Sequence, residues 1–265
     1  MKIIERQRLL GSIQDAEERI AISRVLDKVE MVMETSEPQI SDFLNPSQME
    51  ITVAILKQIP GISFIRDGGY KEAERQRVII STDLYPRELL APSLAVLQMT
   101  PIGKGGKLTH NDYLGAIMGV GIRREKIGDI ILIADGCQVI VAEEIKKFFT
   151  NSPVQAGGIP LSISEIDIEA LNVEPTRVKE IQSTVASLRL DSVAGEGFSA
   201  SRSKMAREIK AERVKVNWKT VSDPAYLVKV NDVISIRGRG RVIVESVLGE
   251  TRKGRLRIKL KRLMS

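Results

Sequence analysis

The sequence predicts an α+β protein of several domains, and three observations support this fold class. Its 265 residues exceed the usual size of one domain. Apolar residues recur at helical spacing near the start, β-prone runs alternate with helices in the middle, and a short basic helix precedes strands near the end. We therefore expect a helical N-terminal domain over 1–75, an α/β plait over 76–170, and a basic domain with extended β-strands over 182–265.

The N-terminal domain is predicted from two amphipathic segments. Residues 14–35 place Ile20, Ala21, Val25, Val29 and Met33 on one face of a helix, and residues 47–59 form a second helix that ends at Pro60 and Gly61. We interpret the apolar face as core; the alternative is a surface that receives a partner helix.

Residues 62–82 contain two β-prone runs around a charged, glycine-bearing connection, which predicts a hairpin. Arg75 and Arg77 alternate with apolar positions there, so we expect them on an exposed strand face. The next elements in order are a strand over 93–100, a helix capped by Thr109 and Asp112, two strands joined at Asp135-Gly136, a helix over 142–151 and a strand over 159–168.

One sheet covered by two helices is the layout that this order predicts, and it resembles the RNA-recognition-type plait. The strands lack the aromatic pair on which that family stacks bases. Flexible joints are expected at 151–160 and 171–178, where proline, glycine and small polar residues gather. After the second joint, residues 178–188 are expected to form a lead-in helix.

Composition excludes several classes of protein. A single cysteine, Cys137, rules out an internal disulfide and a thiolate-rich zinc site. No apolar run approaches the ~18 residues of a membrane span, and the first 20 residues are too charged for a secretion signal. We expect a cytoplasmic monomer with no membrane insertion, no metal and no cofactor.

The net charge of +6 is unevenly distributed along the chain. Residues 189–265 carry 19 Lys and Arg against 8 Asp and Glu, a net charge of +11, whereas the remainder sums to −5. Local concentration of positive charge is typical of proteins that bind nucleic-acid phosphates. A merely solvated surface, the alternative, usually mixes both signs.

The basic segment from Ser201 to Glu212 has the pattern of an amphipathic helix. Met205 and Ile209 fall on one face, while Arg202, Lys204, Arg207 and Lys210 project elsewhere. Ser201 or Ser203 is placed to cap the first free N–H groups, and an alternating strand with Val214 and Val216 inward follows. A cationic face should therefore be held rigidly.

These residues resemble the RNA-binding domain named after ribosomal small-subunit protein S-four, the αL motif. The likeness runs from Arg189-Leu190-Asp191 through the 201–204 segment to Asp232-Val233-Ile234, about a quarter of the chain. Two positions depart from the usual pattern, because Glu212 replaces a glycine after the second helix and Trp218 follows Asn217 where Asn-Gly is common. Asn217 still tolerates a left-handed backbone.

We predict RNA contacts along this module. Asp191 is expected to orient Arg189 or to cap the first helix, and Trp218 either covers a core edge or stacks on a base. The predicted RNA-binding residues are Arg189, Leu190, Asp191, Ser201, Arg202, Ser203, Lys204, Met205, Lys210, Arg213, Asn217, Trp218, Lys219 and Thr220.

The C-terminal strands predict a secondary basic surface. Around the turn at 248–254, alternation should place Leu256, Ile258 and Leu260 on one face and the cations on the other. An ordered hairpin is favoured over a disordered Arg-Gly tail because β-branched residues flank the glycines. The surface comprises Arg237, Arg239, Arg241, Arg255, Arg257, Lys259 and Lys261.

The order of segments, with residues 107–130 as the most similar part, resembles the bacterial YlmH-like proteins, whose cyanobacterial and plastid members are often labelled photosystem II S-four domain proteins. The resemblance implies binding to RNA of the large ribosomal subunit, with tRNA beside it, in the rescue of stalled translation. The alternative functions are those of an RNA-modifying enzyme and of an interaction protein linked to photosystem II or to cell division.

Catalytic motifs are weak in this sequence. Residues 103–109 fail the phosphate-loop pattern, because Leu108 stands where Ser or Thr should bind magnesium. His110 is the only histidine and lies in a first helical turn. Arg189-Leu190-Asp191 is similar to the catalytic aspartate motif of pseudouridine synthases, but no synthase-sized domain follows. We therefore predict a protein that is not an enzyme.

Overall fold

The computed structural model describes residues 3–11, 13–103, 107–150, 153–173, 177–236 and 238–264. The chain divides into two compact units, Met1–Val173 and Glu174–Ser265. The mixed α+β class with several domains is confirmed. None of the helices described has the length and apolar composition needed to cross a bilayer.

The N-terminal domain packs helices on a small antiparallel sheet with β3 in the centre. Its elements are α1 (Ile3–Gly11), α2 (Ala16–Thr35), β1 (Gln39–Ile40), α3 (Pro46–Leu56), β2 (Ile62–Asp67) and β3 (Arg77–Thr82). The expected hairpin is confirmed by six β2–β3 residue pairs, from Ile62↔Thr82 to Asp67↔Arg77. Since β3 completes this sheet, a boundary at residue 75 is wrong: it would divide the hairpin.

The buried face of α2 is rotated from the one expected. Val25 and Val29 are buried and Ala21 packs partly on the core as expected, but Ile22, Leu26 and Val32 complete the face in place of Ile20 and Met33. Ile20 and Met33 are 54% and 44% exposed, so their assignment to the core was wrong. The 3.6-residue period admitted both faces, and packing on α3 and β3 selected one.

The middle domain is a five-stranded antiparallel sheet in the order β5-β6-β4-β8-β7, with both helices on one face. Its elements are β4 (Leu94–Pro101), α4 (His110–Gly119), β5 (Ile127–Ile133), β6 (Gly136–Ala142), α5 (Lys146–Thr150), β7 (Gln155–Ala156) and β8 (Ile159–Ile166). This is the βαββαβ order of the plait, with β7 added. Gly136 is required at the β5–β6 turn, since a Cβ there would lie 2.1 Å from the Met99 carbonyl oxygen.

Buried polar contacts join the N-terminal and middle domains. Arg77 is 4% exposed and donates to the carbonyls of Ser41 (2.7 Å) and Ser93 (2.9 Å), while Arg75 donates to the carbonyl of Ile127 at 2.9 Å. The expectation that these two arginines lie on an exposed strand face is therefore wrong. Their guanidinium groups satisfy backbone carbonyls at the domain junction, which a pattern of alternation does not reveal.

The C-terminal unit packs two helices on a six-stranded antiparallel sheet in the order β11-β10-β12-β13-β14-β9. Its elements are β9 (Arg177–Val185), α6 (Leu190–Gly197), α7 (Arg202–Lys210), β10 (Val214–Val216), β11 (Lys219–Thr220), β12 (Val233–Ile236), β13 (Gly240–Glu250) and β14 (Leu256–Met264). The core lies between the helices and the sheet and includes Val193, Met205, Ile209, Val242 and Ile258.

The segment expected to form a lead-in helix is strand β9. It pairs with β14 over nine residues, from Leu256↔Val185 to Met264↔Arg177. Ile181 and Val185 pack on the core face, but their spacing of four residues suits a helix as well as a strand, so the pairing with β14 decides between the two. The unit thus begins before residue 182, the boundary expected from the sequence. The two expected joints include residues 151, 152 and 174–176, which lie outside the described residues.

Candidate nucleic-acid interface

Helix α7 is fixed at both ends. The Ser201 side chain caps its start by accepting from the Lys204 N–H at 3.3 Å. At its end Glu212 adopts a left-handed φ of 57°, and the Arg213 N–H donates to the Glu208 carbonyl at 3.1 Å. Glu212 therefore ends the helix as the glycine usual at this position would, at some cost in backbone strain.

The exposed side of α7 is strongly cationic. Met205 and Ile209 are fully buried and fix the rotation of the helix, so the polar residues must face solvent. Arg207 lies between Lys204 and Lys210 on the same face and was missed in the predicted site, although its spacing of three residues from each could have identified it. The exposed residues of α7 are Arg202 at its first position, Ser203, Lys204, Arg207 and Lys210.

Asp191 connects the two arginines on either side of it. Its side chain is 5% exposed and accepts from Arg189 at 3.1 Å and from Arg202 at 3.0 Å. Burial disfavours the charged form of Asp191, but the hydrogen bonds from both arginines outweigh burial and hold its pKa below the ordinary value. The predicted role of Asp191 in orienting Arg189 agrees with this geometry, which adds Arg202.

The remaining predicted residues lie in the hairpin between β10 and β11 or directly before it. Arg213, Lys219 and Thr220 are exposed, and Arg213 lies 3.5 Å from Glu208. The Asn217 amide is used within the protein: it donates to Asp232 at 2.8 Å and accepts from the Val233 N–H at 2.9 Å. Asn217 thus fixes the turn, with a φ of 48°.

Two predicted contact residues belong to the core. Leu190 and Met205 have no exposed side-chain surface, so they support the interface and do not touch a ligand. Their inclusion as contacts is therefore wrong. Leu190 follows Arg189 and Met205 follows Lys204 in the chain, and both apolar side chains belong to the core of the C-terminal unit.

The secondary basic surface is partly neutralised. Ile258 and Leu260 are buried and the cations point to the opposite face, as alternation predicted. However, Lys259 lies 3.0 Å from Glu180 and 3.2 Å from Glu245, and Lys261 lies 2.7 Å from Glu245. These lysines are ion-paired, so the uniformly basic stripe expected from the sequence is wrong at both.

The arginines of the same surface differ in exposure. Arg257 is exposed, and Arg255 donates to the Thr184 hydroxyl at 3.1 Å. Arg239 and Arg241 are half-buried, and burial lowers the pKa of Arg241. Arg237 lies outside the described residues.

The centre of the plait's sheet is covered on the face opposite the helices. The face opposite the helices carries Val96 and Ile140, and it is covered by Phe43 and Tyr70 of the N-terminal domain and by Leu171 after β8. The Gln138 side chain on this face also accepts from the Asn172 N–H at 2.7 Å. Proteins of the plait class that stack bases use this face, so the C-terminal unit is the stronger candidate interface.

Three family models match successive regions of the chain. Family models match residues 17–85 ("YlmH, N-terminal"), 93–170 ("Putative RNA-binding domain in YlmH") and 188–234 ("S4 domain"). The solved structure titled "Cell division protein ylmH from Streptococcus pneumoniae" has a similar fold, with a TM-score of 0.50 at 22% identity, over 60% of this chain and 96% of that one.

A curated relative covers almost the whole chain. The "Ribosome-associated protein quality control protein P2" of Bacillus subtilis (strain 168) is 35% identical over 247 residues, which are 93% of this chain and 95% of the relative. The matched regions lie in both compact units. The expected resemblance to YlmH-like proteins is confirmed. The chain therefore belongs to the YlmH family.

Proposed function

We propose that the C-terminal unit binds structured RNA through the exposed face of α7 together with Arg189 and Arg202. The observation that carries this proposal is the arrangement of α7 itself: a capped helix whose buried Met205 and Ile209 force Lys204, Arg207 and Lys210 outward. A rigid helix holds these cations on one side, where they can contact neighbouring phosphates together, and each contact releases counterions.

The proposed target is ribosomal RNA of the large subunit, with tRNA beside it, during the rescue of stalled translation. The name of the Bacillus subtilis relative supports a ribosome-associated role, and the concentration of positive charge in residues 189–265 supports RNA as the ligand. On this proposal the protein acts in the cytoplasm as a monomer and binds RNA without modifying it.

Salt dependence tests the electrostatic part of this proposal. About five phosphate contacts give a slope of log affinity against log salt of roughly −3.5 to −4.5, so affinity should fall by roughly two to three orders of magnitude between 50 and 200 mM salt. We expect K204A/K210A to weaken RNA binding and to reduce the slope by roughly 1.5.

A matched variant controls for net charge. K57A/K71A removes two exposed lysines from the N-terminal domain and should bind RNA like the unmodified protein. The same proteins on sucrose gradients test the ribosomal target, because the unmodified chain and K57A/K71A should sediment with large subunits and K204A/K210A should not. Equal binding by both double variants would refute the α7 interface.

A further inference from the structure

The turn between β10 and β11 has an unusual residue at its second position. Val216 pairs with Lys219, so Asn217 and Trp218 are the two central residues of the hairpin turn. Both have positive φ, 48° for Asn217 and 66° for Trp218. Hairpin turns of this kind favour Asn-Gly, because glycine enters the left-handed region without a Cβ clash. The chain therefore holds its only tryptophan at a position that suits glycine.

Burial in the core does not compensate for this strain. The core of the C-terminal unit is built from aliphatic side chains and Phe198, and Val221 just after the hairpin packs against it. Among the described residues that pack on that core, Trp218 is absent, and it is half-buried at the tip of the hairpin. A bulky side chain kept in a strained, partly exposed position indicates a function outside the core.

The surroundings of Trp218 favour RNA as the partner. Exposed cations lie on the same hairpin and directly before it, at Arg213, Lys215 and Lys219. An indole next to cations is the combination with which proteins hold single nucleotides: the ring stacks on the base, and the cations bind the neighbouring phosphates. In a continuous A-form helix, base faces are already stacked and cannot be reached, so only an unpaired base fits.

We infer that Trp218 stacks on an unpaired base of the bound RNA, and that the target is therefore a duplex interrupted by an extrahelical or loop nucleotide. This inference rests on the proposed function, because α7 supplies the phosphate contacts and Trp218 adds discrimination between paired and unpaired sites. Base stacking would account for a tryptophan in the strained turn, which the packing of the turn does not.

Fluorescence tests the contact directly, since Trp218 is the only source of indole emission. The full-length protein would be titrated with two blunt-ended RNA duplexes, each annealed from two strands and identical except that one carries a single unpaired adenine. We expect quenching of the emission and about tenfold tighter binding for the RNA with the unpaired base, equivalent to ~1.4 kcal/mol. Equal affinity and equal emission with both RNAs would overturn the inference.

Substitution at the same position separates binding from stability. Trp218→Gly relieves the left-handed strain, so its thermal unfolding midpoint should be equal to or above that of the unmodified protein, while its tenfold preference for the unpaired base should disappear. Trp218→Tyr keeps an aromatic ring and should retain most of the preference. If Trp218→Gly unfolds at lower temperature and keeps the preference, the indole is a structural cover and the inference is wrong.

The charge variant distinguishes this inference from the proposed function. K204A/K210A should weaken binding of both RNA duplexes by the same factor and leave the preference for the unpaired base intact. If K204A/K210A loses affinity while Trp218→Gly behaves like the unmodified protein, only the stacking inference fails. If neither variant changes binding, the proposed function fails.

Discussion

At the scale of single residues, Asp191 organises the candidate interface. It is nearly buried and holds Arg189 and Arg202 within 3.1 Å of its carboxylate. One negative charge thereby fixes two guanidinium groups while leaving the cluster with a net positive charge. Arg189 and Arg202 remain 35% and 58% exposed, so both keep N–H groups available to a phosphate.

Asp191→Asn should lower the stability of the C-terminal unit at neutral pH by ~1–2 kcal/mol, because two charge-assisted hydrogen bonds are lost, although solvent screens the exposed arginines. The folded pKa of Asp191 lies below its ordinary value of 3.8, so its stabilisation is present above that pH and is lost as the pH falls through the folded pKa.

The difference between unmodified protein and Asp191→Asn should therefore shrink as the pH falls from roughly 4. Denaturant unfolding at a series of pH values measures it. Glu250→Gln, which changes an exposed carboxylate in the same unit, should show no comparable difference at pH 7. A destabilisation by Asp191→Asn that stayed constant to pH 2 would contradict the proposed role.

At the scale of elements, α7 combines a structural cap with a candidate anion site at one position. The Ser201 hydroxyl accepts the Lys204 N–H and lies 3.2 Å from the Ser203 hydroxyl, at the exposed start of the helix. Positive charge from the helix dipole, Arg202 and Lys204 converges there. Stability and RNA binding are thus expected to respond differently to substitutions of Ser201.

Ser201→Ala should lower the free energy of unfolding by ~1 kcal/mol because the cap is lost. Ser201→Asp keeps an acceptor for the cap and should leave stability nearly unchanged, while its negative charge repels phosphate and weakens RNA binding about tenfold. Thermal unfolding and RNA titration of both variants provide the comparison. Undiminished RNA binding by Ser201→Asp would place the interface elsewhere.

At the scale of the whole molecule, buried polar contacts unite the N-terminal and middle domains within one compact unit. Arg77 reaches two backbone carbonyls and the Glu144 carboxylate, and Asp129 accepts from the Tyr70 hydroxyl at 2.8 Å. Burial and the charge of Asp129 raise the pKa of Tyr70, whose hydroxyl is the donor in this bond.

Arg77→Lys should destabilise this unit by ~2 kcal/mol, since lysine keeps the charge but cannot reach all of the carbonyl and carboxylate oxygens that the guanidinium group contacts. Arg87→Lys makes the same chemical change at an exposed position and should alter stability by no more than ~0.5 kcal/mol. Scanning calorimetry of the two variants checks the difference. Similar small effects from both would show that the junction does not depend on Arg77.

The sequence by itself determined the helices with capping residues, the hairpins, the order of strands and helices in the plait, and the cationic face of α7. These features depend on residues a few positions apart, so their spacing is visible in the chain. Even the departures at Glu212 and Trp218 were visible, because a left-handed backbone at these two positions is required by the local turn.

Only the tertiary structure decided which partners meet from distant parts of the chain. Residues 177–185 form a strand because they pair with the edge of β14, some 80 positions later. Lys259 and Lys261 form ion pairs with Glu180 and Glu245, so their charges are partly neutralised. Phe43 and Tyr70 cover the centre of the plait's sheet face. Periodicity shows which residues share a face, whereas the contribution of that face to the stability of the fold depends on the elements that pack on it.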